Sequence, residues 1–362
     1  MPRLASLTSQ ALTGLGRLKE WALLYTIDNP NAYSTSASDY FGWSLSISGN
    51  YAIVSAYNED DAGGTSSGKA YIFNITTGAL LHTLDNPNAY STSVKDFFGY
   101  SVSISGNYAI VGAYQEDDAG GTTSGKAYIF NVITGALLYT LDNPRLPAGN
   151  GTANNSFGYS VAISGNYAIA GSPGVSAPGY SDSGAAYIFD VTTGALVHTL
   201  NNPNAYGTSL SDQFGLAVAI SGNYAIVGAF AEDLNGTASG VAYIFDVTTG
   251  LLLHTLDNPN SYSTGASDQF GEKVAIDGNY AVVSAKYEDT ANGLSNGSAY
   301  VFDVRTGELI GKLANPTYLN VSDTAVRMPI GISGSYVITG HSQGTTNGSA
   351  SSGYVRIWEA NY

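Results

Sequence analysis

Cysteine is absent from the 362-residue sequence. That excludes disulfides, thiolate metal ligands and a cysteine nucleophile. Charge is scarce. Only 11% of residues are Asp, Glu, Lys or Arg, against about 25% in ordinary globular domains. The charge that is present runs acidic: 13 Lys and Arg face 28 Asp and Glu, for a formal net charge of −15. Nucleic-acid phosphates call for the opposite balance, so nucleic acid is not an expected partner. No apolar run approaches the length of about 20 residues that a membrane helix needs, so no membrane span is expected. Residues 1–21, MPRLASLTSQALTGLGRLKEW, lack the apolar core of a secretion signal.

What the sequence has is repetition, with 44% apolar residues and 44 glycines. The tyrosine that follows Ser-Gly-Asn marks the period at Tyr51, Tyr108, Tyr167, Tyr224 and Tyr280, and again at Tyr336 after Ser-Gly-Ser. The spacings are 57, 59, 57, 56 and 56 residues, so six units tile the chain from about residue 22. Each unit holds four strand candidates, A to D. In strand A, Trp43, Leu45 and Ile47 alternate with Ser44, Ser46 and Ser48, a period of two with one buried and one small polar face. Strands B, C and D follow as Tyr51–Ala56, Lys69–Phe73 and Ala79–Leu84. Short turns rich in Gly and Asn join A to B and C to D, supplying the positive φ that tight hairpins need. The D-to-A and B-to-C connections are longer.

Four antiparallel strands repeated at this period predict an all-β fold, a six-bladed β-propeller of four-stranded antiparallel blades. The stretch Leu23–Pro30 (LLYTIDNP) matches the end of a unit, and the sixth unit reads only through strand C. The expected ring is therefore closed by the N-terminal strand completing the last blade, which removes two sheet edges. The domain division is an N-terminal anchor or partner-binding segment, 1–21, and a propeller, 22–362.

The units resemble the FG-GAP repeat family, propeller repeats also found in the heads of integrin α-chains. The residues that carry the resemblance are Phe41-Gly42, Phe98-Gly99, Phe157-Gly158, Phe214-Gly215 and Phe270-Gly271, with Gly112-Ala113 and Gly228-Ala229. Ser55-Ala56 and Ser284-Ala285 stand for the latter pair in two units, and Val326-Arg327 replaces Phe-Gly in the sixth. Integrin-type propellers have seven blades, and their A–B hairpin carries a DxDxDG calcium motif. Here that hairpin is Ser-Gly-Asn, too short to wrap a cation. Residues 3–16, RLASLTSQALTGLG, resemble the N-termini of structural proteins from tailed phages of marine cyanobacteria.

Propeller topology gathers the long loops on one face. The D–A loops bring Tyr33, Tyr90, Tyr206, Tyr262 and Tyr318, candidate ligand-binding residues because rigid tyrosine rings beside Asn, Asp and Ser suit sugars. The competing reading is architectural: one residue repeated in five blades caps its neighbour. The B–C loops bring acidic groups, Glu59-Asp60-Asp61, Glu116-Asp117-Asp118, Glu232-Asp233 and Glu288-Asp289. These are weak candidates for calcium, against a reading as a solvated surface. No other cofactor is implied. Asp39, Asp96, Asp212 and Asp268 are expected to accept from backbone N–H groups and close loops. His82, His198 and His254 share one strand-D position in three blades and cannot converge on a metal. Gly340-His341-Ser342-Gln343-Gly344 fits G-x-S-x-G but lacks the strand-to-helix context of a nucleophile elbow.

The reading is thus non-enzymatic: a virion surface protein of a tailed phage, either a capsid or tail decoration or a fibre-associated adhesin. Its partners would be other virion proteins, through Leu4, Leu7, Leu12, Leu15 and Leu18, and a host-surface glycan or protein. The alternative is a bacterial extracellular or cell-surface adhesion module. A polysaccharide-acting enzyme is the remote third, because it needs a carboxylate pair and the acidic groups recur by symmetry.

Overall fold

The computed structural model describes residues 23–31, 38–60, 65–87, 95–117, 123–144, 154–176, 182–203, 211–233, 238–260, 267–288, 297–314, 329–341 and 354–359. Among them there are strands and turns but no helix. Blade one is β1 (Phe41–Ser48), β2 (Tyr51–Ala56), β3 (Lys69–Asn74) and β4 (Leu80–Asp85). Blade two is β5 (Ser101–Ser105), β6 (Tyr108–Ala113), β7 (Lys126–Asn131) and β8 (Leu137–Asp142). Blade three is β9 (Val161–Ser164), β10 (Tyr167–Ser172), β11 (Ala185–Asp190) and β12 (Leu196–Asn201). Blade four is β13 (Ala217–Ser221), β14 (Tyr224–Ala229), β15 (Val241–Asp246) and β16 (Leu252–Asp257). Blade five is β17 (Phe270–Asp277), β18 (Tyr280–Ala285), β19 (Ser298–Asp303) and β20 (Leu309–Ala314). Blade six holds β21 (Ile330–Ser333), β22 (Tyr336–His341) and β23 (Tyr354–Glu359). Within each blade the strands pair antiparallel in chain order. The fold is a six-bladed β-propeller.

The hairpins follow from local chemistry. Ser48 pairs with Tyr51 across a two-residue Gly49-Asn50 turn, and Gly49 takes a φ of 57°, which such turns require. In the C–D turn, Asn74 Oδ1 accepts from the Thr76 amide at 2.9 Å. Asp190, Asp246 and Asp303 repeat this bond in later blades.

The core lies between blades. One cluster joins Ile53, Ile72 and Leu84 of blade one to Phe98, Val102 and Ile104 of blade two, and the next three seams repeat it. Phe98, Phe157, Phe214 and Phe270 of the Phe-Gly pairs are the fully buried plugs of their seams, whereas Phe41 is only partly buried against Ala56, Tyr71 and Phe73. The glycines permit the close approach: a Cβ on Gly112 would stand 2.0 Å from the Gly158 carbonyl oxygen of the next blade. The small polar face of strand A is half-buried and turned to the next blade. The hydroxyls of Ser44, Ser46 and Ser48 accept from the backbone N–H groups of Val102, Ile104 and Gly106 at 3.1, 3.3 and 3.1 Å. Ser101, Ser103 and Ser105 do the same for blade three. The innermost strands of blades two and three, whose free edges would otherwise expose unpaired donors, are thus pinned to the preceding blade.

The outer strands are latched as well. The ring nitrogen Nε2 of His82 lies 3.0 Å from the Ile133 carbonyl oxygen in the C–D turn of blade two. His198 and His254 lie 3.1 Å from the Thr248 and Arg305 oxygens. The Tyr139 hydroxyl donates to Thr192 O at 2.5 Å. The structural role expected for these histidines is what the geometry displays.

Segment Leu23–Asn31 stands against blade one as a strand D stands against the following blade. Tyr25 donates to Thr76 O at 2.8 Å. Ile27 packs on Ala56, Tyr71 and Phe73, as Leu84 does at the next seam. The ladder pairs described for blade six, however, are those of β21, β22 and β23. This last seam is the loosest of the six: Leu45 and Ile47 are 68% and 63% exposed, whereas Val102 and Ile104, their counterparts, are 5% and 4%.

Candidate functional site

The six strands A surround an axial cavity of about 620 Å³, lined by one or more residues from every blade. Trp43, Tyr100, Tyr159, Leu216, Glu272 and Pro329 mark one each. Five of these follow a Phe-Gly pair by one residue, at the start of strand A, and so stand toward the long-loop face. The volume lies in the range of small-molecule sites, about 300–1,000 Å³.

The lining is lopsided. Blades one to three build a continuous aromatic wall. The Trp43 ring lies 4.8 Å from Tyr57 and 5.6 Å from Tyr100. Tyr100 lies 4.5 Å from Tyr114 and 5.0 Å from Tyr159, and the Tyr100 hydroxyl donates to the Tyr159 hydroxyl at 3.2 Å. Behind them Tyr40 stacks on Tyr57 at 5.4 Å and Phe97 on Tyr114 at 5.8 Å. Tyr40 and Phe97 hold φ values of 57° and 54°, a left-handed conformation unusual for bulky residues. Blades three to five place Ser156, Gln213 and Gln269 in the same conformation. The conformation belongs to the repeat, and the aromatic choice is local to blades one and two. Burial, with Tyr159 and Tyr57 nearby, pushes the Tyr114 phenol up to about 12, so it stays neutral.

Blade five faces this wall with charge. Lys286 and the Glu272-Lys273 pair line the cavity, with Lys273 Nζ 3.9 Å from Glu272 Oε1 and Lys286 Nζ 4.7 Å from the Tyr287 ring centre. Glu272 Oε2 is buried and has no hydrogen-bond partner among the described residues. The site combines flat apolar surfaces, hydroxyl donors and a few charges. Such surfaces can hold a ligand.

The described acidic residues of the B–C loops each bond within their own blade. Glu59, Glu116, Glu232 and Glu288 turn inward, each fully buried or nearly so. Each accepts from the strand-C tyrosine of its own blade: Tyr71 at 2.6 Å, Tyr128 at 2.6 Å, Tyr243 at 2.7 Å and Tyr300 at 2.6 Å. Burial drives their carboxyls up, to about 7 for Glu59 and Glu232 and about 8 for Glu116. Glu288 is also raised by burial, and it receives Lys312 as an ion-pair partner. Blade three has Val175 in place of the glutamate. The following aspartates serve their own loops: Asp60, Asp117 and Asp233 accept from the amides of Ser66, Thr123 and Ala238 at 2.8, 2.7 and 2.6 Å. Among the described residues no three His, Asp or Glu side chains stand together as a metal site. Asp61, Asp118 and Asp289 lie outside the described residues.

Tyr33, Tyr90, Tyr206, Tyr262 and Tyr318 also lie outside the described residues, as do Leu4, Leu7, Leu12, Leu15 and Leu18. The bases of the tyrosine-bearing loops are described. Asp39, Asp96, Asp212 and Asp268 are buried there and accept from Asn29, Asn86, Asn202 and Asn258 side chains at 3.0, 2.9, 2.8 and 2.8 Å. They clamp the loops as acceptors, with these side-chain amides among their donors.

Sequence reasoning missed the aromatic wall. Its signal was present: the residue after Phe-Gly and the residue after strand B change from blade to blade, while core positions repeat. Trp43, Tyr100, Tyr159, Leu216 and Glu272 form the first series, and Tyr57, Tyr114, Pro173, Phe230 and Lys286 the second. A family model described as FG-GAP repeat matches residues 32–73, 89–130, 142–189, 205–245 and 263–302, a stretch from the D–A loop through strand C in each of five units. No curated protein matches the sequence.

Proposed function

The chain belongs to the FG-GAP repeat family, and from that premise we propose that it is a non-enzymatic, adhesion-type binding module whose ligand sits at the channel mouth. The observation that carries this is the aromatic wall of Trp43, Tyr57, Tyr100, Tyr114 and Tyr159 on an open axial cavity. Rigid rings offer contact area at small entropic cost, and their faces suit the C–H surfaces of a sugar while the hydroxyls donate. The ligand class is a host-surface glycan.

The setting is the surface of a tailed-phage virion, as a capsid or tail decoration or a fibre-associated adhesin, held by residues 1–21. What supports it is the resemblance of residues 3–16 to phage structural proteins. Antibody-gold electron microscopy of particles from a producing lysate tests the setting. Label at fixed sites on capsid or tail is expected, whereas label only on the envelopes of uninfected cells would give the bacterial adhesion module instead. A glycan array tests the binding. The native protein should retain specific sugars, and Trp43→Ala with Tyr100→Ala should weaken retention by at least about tenfold, the loss of one strong anchor. Equal retention by both, with unchanged circular dichroism, would remove the wall as the site.

A further inference from the structure

At five places in this ring an aromatic or imidazole side chain of one strand D rests on the C–D turn glycine of the next blade. A Cβ on Gly78 would lie 2.8 Å from the Tyr25 ring. Gly135 meets His82 at 2.6 Å, Gly194 meets Tyr139 at 2.6 Å, Gly250 meets His198 at 2.7 Å, and Gly307 meets His254 at 2.8 Å. The rule is one ring opposite one glycine. Between blades five and six the ring is missing. The strand-D position of blade five is Gly311, and a Cβ there would meet nothing within 4 Å. A cavity of about 310 Å³ occupies the place, lined by Ile310, Gly311, Leu313, Ile332, Val337 and Trp358 among others.

The sequence offers the complement. Leu23–Pro30 aligns with Leu80–Pro87 residue for residue, and Tyr25, Ile27 and Asn29 contact blade one as their counterparts contact the next blade. Carrying that alignment two residues back puts Trp21 at the turn position that Gly78 holds. At this one seam, therefore, the ring and the glycine have changed sides: Gly311 stands where a ring is usual, and Trp21 where a glycine is usual. We propose that the Trp21 indole enters the cavity beside Gly311 and latches the N-terminal segment across blades five and six. A large apolar ring in an apolar cavity buries well, and any segment N-terminal to Trp21 then leaves the ring from a fixed point.

The test uses the full chain. With Trp43→Phe and Trp358→Phe, Trp21 is the sole tryptophan of the three in the sequence. Its emission is expected to be blue-shifted and shielded from acrylamide. Gly311→His, which puts an imidazole into the place proposed for the indole, should evict it and shift the emission to the red. Emission typical of solvent from the start, or no response to Gly311→His, overturns the proposal. A second experiment keeps the native tryptophans at 43 and 358. The protein has no cysteine, so within one chain Trp21→Cys with Gly311→Cys can form only the designed disulfide, whose geometry demands close Cα atoms. An intramolecular bond by non-reducing mass spectrometry is expected. Free thiols, or a bond only between two copies, refute an in-chain latch.

Discussion

Glu116 offers a direct measure of what the buried acid–tyrosine pairs do to stability. It is fully buried and accepts from Tyr128 at 2.6 and 2.7 Å. Burial raises its carboxyl from 4.5 to about 8. Between those values the folded chain keeps a proton that the unfolded chain has released. Folding stability must therefore fall as pH rises, by about 1.4 kcal/mol per pH unit for this one group. The contribution is favourable to folding at low pH and is lost on the way up through the folded value. Glu116→Gln keeps the shape and removes the titration. Its stability relative to the native chain should grow by about 3 to 4 kcal/mol from pH 5 to pH 8. Urea unfolding followed by circular dichroism at one-unit intervals reads this difference directly. The offset at any single pH also contains the exchange of an acid for an amide, so the informative quantity is the slope. Two parallel stability curves would refute the reasoning, because they would mean that Glu116 ionises as easily inside the blade as outside it.

Two further outcomes follow from the seams. Gly112→Ala places a Cβ 2.0 Å from the Gly158 oxygen. Neither backbone can yield, so a loss of about 3 kcal/mol or more is expected in thermal or urea unfolding, and wild-type stability would contradict the close approach. Ser103→Ala removes the acceptor of the Ile163 amide, now 3.3 Å away. The expected cost is about 1 kcal/mol, with faster hydrogen exchange at Ile163 than at Ile104, whose pin on Ser46 is intact.

Much of this architecture was legible in the sequence because it is written in local chemistry. Period-two alternation, Gly-Asn turns and a fixed spacing of Tyr51, Tyr108 and their successors are enough to place strands and count blades. What lies across seams was harder to read. Ser44, Ser46 and Ser48 look like a solvent face, since small polar residues on alternate positions usually are one. Only the neighbouring strand A reveals them as acceptors. Glu59 and Glu116 sit in runs of acid that read as surface. Their tyrosine partners lie 12 residues away on strand C, and a buried hydrogen bond at that separation has no periodic signature. The Asn–Asp clamp was readable in part: the aspartates stood out as acceptors, but the donor ten residues earlier, as in Asn86 and Asp96, escaped. The aromatic wall escaped because attention to a repeat favours positions that recur, whereas a single site on a symmetric ring has to be made from positions that do not.

The loose last seam has a mechanical consequence. A ring of sheets loaded along its chain yields where the fewest bonds share the force. Tension applied from the N-terminal side, once past the latch proposed at Trp21, falls on segment 23–31. The bonds described there are the Tyr25 hydroxyl to Thr76 and Asn29 and Asn31 to Asp39. No ladder backs them among the described residues, and Leu45 and Ile47 beside them are open to water. Elsewhere a strand D would have to be sheared out of its blade with a full set of pairs, such as the five between β7 and β8. A pull from that end would peel the ring open at this one joint, and the other five blades would stay folded as an uncoiled row.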